Sequence, residues 1–92
     1  MKGEALRWFN EALWDLETAE ILHRSRRYSA AAFYSHQAAE KAVKALLYHA
    51  HEAAWGHSVR KLLERYFTKA STVPPNDLMS YARELDRHFI HS

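Results

Sequence analysis

The stretch that decides the fold is Ser29–His51, SAAAFYSHQAAEKAVKALLYHAH. It contains no glycine and no proline, and it is built largely from Ala, Leu, Glu and Lys, the residues that lose least on entering a helix. Ala31, Ala32, Ser35, Ala38, Ala39 and Ala42 recur at three- and four-residue steps, which puts small side chains on one face. A face this flat admits a second helix at close range, and Leu46 and Leu47 extend it. The expectation is a long helix over about Ser29–His51, with Ser29 as its N-cap.

Working outward, Glu4–His23 reads as a first helix, with Leu6, Phe9, Leu13, Leu16, Ala19 and Leu22 forming its apolar stripe. Gly56 lies in a loop, and a shorter helix is expected over about Ser58–Thr68, carrying Leu62, Leu63, Tyr66 and Phe67. The segment Thr72–Asp77, TVPPND, is the clearest break. Pro75 keeps Pro74 out of the α region, and Asn76 or Asp77 caps a fourth helix starting near Leu78, with Tyr81, Ala82, Leu85 and Phe89 inward. No sustained two-residue alternation occurs, so no strand is expected. The fold class expected is all-α, an up-and-down antiparallel bundle of four main helices in one domain over residues 1–92.

Bulk properties narrow the function. Hydrophobic residues make up 48% of the 92 and charged residues 26%, the balance of a globular chain. A domain this small buries only about 60% of its unfolded surface, so self-association or a partner contributes to its stability. A formal charge of +2 is too small for non-specific nucleic-acid binding by bulk charge. The chain has no cysteine, which excludes disulfides and thiolate metal sites. No apolar run approaches the roughly 20 residues of a membrane span, and the N-terminal residues lack the pattern of a signal peptide. The expected location is the cytoplasm, with no membrane association.

Three pieces of the sequence carry a resemblance: Asp15-Leu-Glu-Thr-Ala-Glu20, His36-Gln-Ala-Ala-Glu-Lys-Ala-Val-Lys-Ala45, and Leu85-Asp-Arg-His-Phe-Ile90, joined by the turn Gly56-His-Ser-Val59. Together they resemble the HEPN family, the higher eukaryote and prokaryote nucleotide-binding domains, over essentially the whole chain. The second piece is the most specific. The resemblance implies a homodimer that binds nucleotide or RNA and acts beside a minimal nucleotidyltransferase in a toxin–antitoxin type of system. It also implies an Arg-Tyr-Pro stretch and a last helix that this chain is expected to lack, which would leave an apolar groove open.

Many members of that family are metal-independent endoribonucleases with an arginine followed, after four to six residues, by a histidine. Arg83 and His88 have that spacing. The resemblance assigns Arg83 to the scissile phosphate, where a guanidinium stabilises developing charge. His88 becomes the acid or base that moves the proton of the 2′-hydroxyl or of the leaving oxygen. Glu84 departs from the Asn, Asp or His often found after that arginine. Five residues on a straight helix turn through about 500°, which leaves Arg83 and His88 about 140° apart. They meet only if the helix ends or bends there, or if two subunits share the site.

Arg87, His91 and His36 are the candidates for contacts with nucleotide or RNA. For His36, on a face of alanines, an interhelical hydrogen bond is the stronger reading. Glu40 and Lys44 are spaced for an ion pair, as are Glu84 and His88. His49 and His51 point about 200° apart on a helix, so no metal or other cofactor is expected. Arg60, Lys61, Arg65 and Lys69 read first as a solvated face, and Trp8, Trp14 and Trp55 as packing or contact residues. The readings left open are a binding and partner module, a ribonuclease using Arg83 and His88, and a structural module that only dimerises.

Overall fold

The computed structural model describes residues 1–89. It consists of four helices, α1 Glu4–Arg24, α2 Tyr28–His49, α3 Val59–Lys69 and α4 Asn76–Phe89. No strand occurs among the described residues.

The central element is α2, which packs against each of the other three helices. The helix α1 touches only α2, while α3 and α4 pack on α2 and on each other. The apolar core lies on the α3–α4 side. Val43 and Leu47 of α2, Val59, Leu62 and Leu63 of α3, and Met79 and Ala82 of α4 form one buried cluster, flanked by Tyr66 and Phe67. Leu47 and Leu62 are its largest fully buried side chains.

This topology corrects one expectation about α1. The residues α1 buries are small or charged: Ala5, Ala12, Asp15 and Ala19. Leu6, Phe9, Leu13 and Leu16 of the anticipated stripe are instead 40–50% exposed. A helix with one neighbour buries only a narrow line of contact. Here that line is alanine against alanine, with Ala31 and Ala38 buried on α2. Polar ties secure the pairing. Lys41 Nζ lies 2.8 Å from Asp15 Oδ2, an ion pair off the line of a well-formed hydrogen bond. Trp8 stacks on Tyr48 with ring centroids 6.2 Å apart.

The helix ends also differ from expectation. Helix α2 begins at Tyr28, one residue before the anticipated cap, and its N-cap position is Arg27 with no side-chain hydrogen bond. It ends at His49 because His51 enters the left-handed region at φ 60°. Arg26 and Ser71 do the same after α1 and α3. In each case the next amide reaches back to the last turn: Arg27 to Leu22, Glu52 to Leu47 and Thr72 to Phe67. This is the bonding of a Schellman stop, made here without glycine.

Candidate functional site

The polar groups of the molecule gather where the C-terminal half of α4 meets the middle of α2 and the start of α3. Asp86, buried on α4, is the hub. Its carboxylate accepts hydrogen bonds from Ser58 Oγ at 2.7 Å, from the amides of Val59 at 2.8 Å and Arg60 at 3.0 Å, and from His36 Nε2 at 3.0 Å. Asp86 therefore caps α3 from a distant part of the chain, while Ser58 caps the amide of Lys61 locally. The arrangement is favourable because a helix start offers unpaired N–H groups and partial positive charge. Burial pushes the Asp86 carboxyl up, but the bonds from Ser58, His36 and the two amides outweigh it and hold the group below the usual aspartate value.

A second carboxylate lies one turn along α2 from His36. Glu40 is buried, and its Oε2 accepts from Lys44 Nζ at 3.0 Å. The same oxygen lies 3.4 Å from His57 Nδ1. The expected Glu40–Lys44 pair is thus present, but it is a buried pair and not a surface one. Lys44 also lies over Trp8, with its ammonium 5.3 Å from the ring centroid. Phe89 closes this end, its ring 5.5 Å from that of His36 and 5.9 Å from that of Phe33.

Arg83 and His88 fall on one uninterrupted helix, so both project from α4 in different directions. Both are exposed. His88 Nε2 lies 3.6 Å from Glu84 Oε1, and the guanidinium of Arg87 binds the same oxygen. Glu84 thus draws His88 and Arg87 together on the solvent side, while Arg83 lies one turn before Arg87 and about 140° round the helix from His88. His36 points inward, with a side chain 4% exposed. His91 lies outside the described residues.

Sequence reasoning missed Asp86 as the hub, the Glu40–His57 contact and the Lys41–Asp15 pair. Each links residues more than 15 positions apart. The only signal was indirect: Asp15, Glu40, His57 and Asp86 all fall within the pieces or turn that carry the resemblance. No group of three or more His, Asp or Glu residues placed to hold a metal ion occurs among the described residues. No described helix is long and apolar enough to cross a membrane.

No curated protein and no solved structure matches the chain. The model of one family, described as HEPN domain, matches residues 5–92, a span that takes in all four helices but for the first residue of α1, together with the Asp86 hub and the Glu40–His57 contact. A match over nearly the whole chain, on an all-helical architecture, shows that this chain belongs to the HEPN domain family.

Proposed function

We propose that this chain is a nucleotide- or RNA-binding HEPN module that works as a homodimer. In this reading it acts in the cytoplasm beside a partner such as a minimal nucleotidyltransferase, in a toxin–antitoxin type of system. The observation that supports an assembly is the open face of α1 and α2. Phe9, Leu13 and Leu16 stand beside a groove of about 280 Å³ floored by Ala38, Ala39 and Ala42. Large side chains next to a groove of small ones are self-complementary across a two-fold axis: the knobs of one copy fill the holes of the other. Contiguous exposed apolar surface of this kind marks an interaction site.

Binding is tested by titrating fluorescent single-stranded RNA and nucleoside phosphates against the protein at rising salt. Affinity at low salt that fades as salt rises is the expected result. No affinity at any salt leaves a structural, dimerising module. Co-expression with a minimal nucleotidyltransferase tests the partner, and purification of the two proteins apart counts against it.

A metal-independent endoribonuclease is the second reading. It is favoured by the exposure of both Arg83 and His88 on α4. Because the two diverge on one helix, this reading places them in a site shared between subunits. Cleavage in the presence of chelator, lost in both Arg83→Ala and His88→Ala, is its test.

A further inference from the structure

His57 stands on the wall between two depressions and lines both. On the α2 side is a depression of about 210 Å³, bordered by Phe33, Gln37, Glu40 and Phe89. On the α3 side is one of about 260 Å³, bordered by Trp55, Lys61 and Arg65. The two differ in chemistry. The first has aromatic walls with an amide and a carboxylate. The second has two cations and an indole.

The groups around His57 are held in place. Its Nδ1 lies 3.4 Å from the buried Glu40 carboxylate, while the imidazole is 76% exposed. A ring oriented at one nitrogen by a fixed carboxylate presents the other nitrogen outward. Arg65 lies over Trp55, 4.2 Å from the ring centroid, and donates to the carbonyl of Trp55 at 3.2 Å. Arg65 therefore fixes an indole that is otherwise 68% exposed. Lys61 has no ion-pair partner among the described residues. The first amides of α3 are not free to bind an anion, since Asp86 and Ser58 already use them. An anion at this end is met by side chains.

We propose that this pair of depressions is a binding site for a nucleoside phosphate, either a free nucleotide or a nucleotide within RNA. The base packs against Phe33 and Phe89, whose rings meet edge to face 5.9 Å apart, with its N–H groups towards Gln37 and Glu40. The ribose passes His57, and the phosphate lies on the Lys61 and Arg65 side. The polarity fixes the direction, because a carboxylate accepts from an exocyclic amine but repels phosphate, and the cations do the reverse. This rests on the reading that the chain binds nucleotide or RNA, and it moves the site from the exposed face of α4 to the His57 wall.

The test is NMR titration of the full chain at low salt with AMP, CMP, UMP and a short single-stranded RNA, with adenosine and inorganic phosphate as probes of each half. The Trp55 indole and His57 ring resonances are expected to shift on addition of AMP. AMP and CMP are expected to bind more tightly than UMP, which lacks the exocyclic amine. Lys61→Gln and His57→Ala, both at exposed positions, are expected to weaken AMP binding about fivefold or more, a loss of about 1 kcal/mol. Arg83→Ala and Arg87→Ala are expected to leave it unchanged. Binding of RNA with the same sensitivity, but not of AMP, assigns the site to RNA. Binding that ignores Lys61 and His57 but falls with Arg83 or Arg87 overturns the proposal and leaves the nucleotide reading intact. No binding of any probe overturns both.

Discussion

His36 Nε2 donates a hydrogen bond to Asp86 Oδ1 over 3.0 Å, joining the middle of α2 to the last turns of α4 in a nearly dry site. The same carboxylate caps α3, so one side chain fixes the mutual placement of three helices. Hydrogen bonds to a charged acceptor contribute about 1.5–3 kcal/mol each, and unpaired buried donors are costly. Asp86→Ala is expected to destabilise the fold by about 3 kcal/mol or more. For a domain of this size that lowers Tm by more than about 10 °C. His36→Ala removes one donor and leaves the α3 cap in place, so a smaller loss is expected. Thermal unfolding followed by circular dichroism ranks the two, and equal losses would mean that the cap contributes little.

The dependence of that stabilisation on pH follows from the depressed Asp86 value. A carboxyl whose folded pKa lies below its unfolded one contributes stability at pH values above the unfolded pKa. The contribution is lost as pH falls through the folded pKa. The advantage of wild type over Asp86→Asn is therefore expected to be constant above about pH 5. It shrinks once pH drops below the ordinary value of 3.8. Urea midpoints of both proteins across that range measure it. A difference that stays constant down to about pH 2 would show that ionisation of Asp86 is not its source.

Helix positions and the part of the core made by Leu47, Leu62, Leu63 and Ala82 were readable because they depend on local periodicity and on Pro74-Pro75, whereas Tyr81, expected inward, is 67% exposed and Met79 takes the buried place on α4. The same local rule misassigned the stripe of α1. Periodicity shows that Leu6, Phe9, Leu13 and Leu16 share a face, but not whether a neighbour covers it, and α1 has only α2 beside it. The capping of α3 was half legible. Ser58 has the residue type and position of a cap, whereas Asp86 arrives from 27 positions away and has no local signature. Arg83 and His88 were legible as a spacing, and helix geometry correctly anticipated that an unbroken α4 holds them apart.

The exposed α1 stripe is expected to be the dimer surface. Leu13, 50% exposed in one copy, becomes buried when two copies meet. Leu13→Glu then places a charge in an apolar contact, with little effect on the separate chain. Self-association is expected to weaken at least about tenfold, or about 1.4 kcal/mol. Light scattering coupled to size exclusion distinguishes a wild-type dimer from a variant monomer. An unchanged dimer would move the interface to another face.

The helix stops made without glycine give a gain-of-stability prediction. Ser71 is exposed and sits at φ 57°, a conformation that costs an L-residue roughly 1–2 kcal/mol. Glycine adopts it freely, at some entropic cost in the unfolded chain. Ser71→Gly is expected to stabilise by about 0.5–1 kcal/mol while keeping the bond from Thr72 N to Phe67 O. Chemical denaturation reads the change directly, and a loss of stability would mean that the Ser71 side chain contributes more than its backbone strain costs.

The divergence of Arg83 and His88 on one helix gives the ribonuclease reading a distinctive consequence. If one subunit supplies the arginine and the other the histidine, Arg83→Ala and His88→Ala homodimers are both inactive, since each site lacks one member. A mixed dimer is different. The intact Arg83 of one subunit faces the intact His88 of the other in one of its two sites, and both members are missing from the second. After random reassortment at equal concentration, half of the dimers are mixed, and about one quarter of wild-type activity returns. If each chain instead builds its own site by bending α4, every site in the mixture keeps a single defect and no activity returns. Cleavage of a labelled RNA before and after co-refolding of the two variants separates these arrangements. Restored activity also requires that the two chains associate, so it tests the dimer and the shared site together.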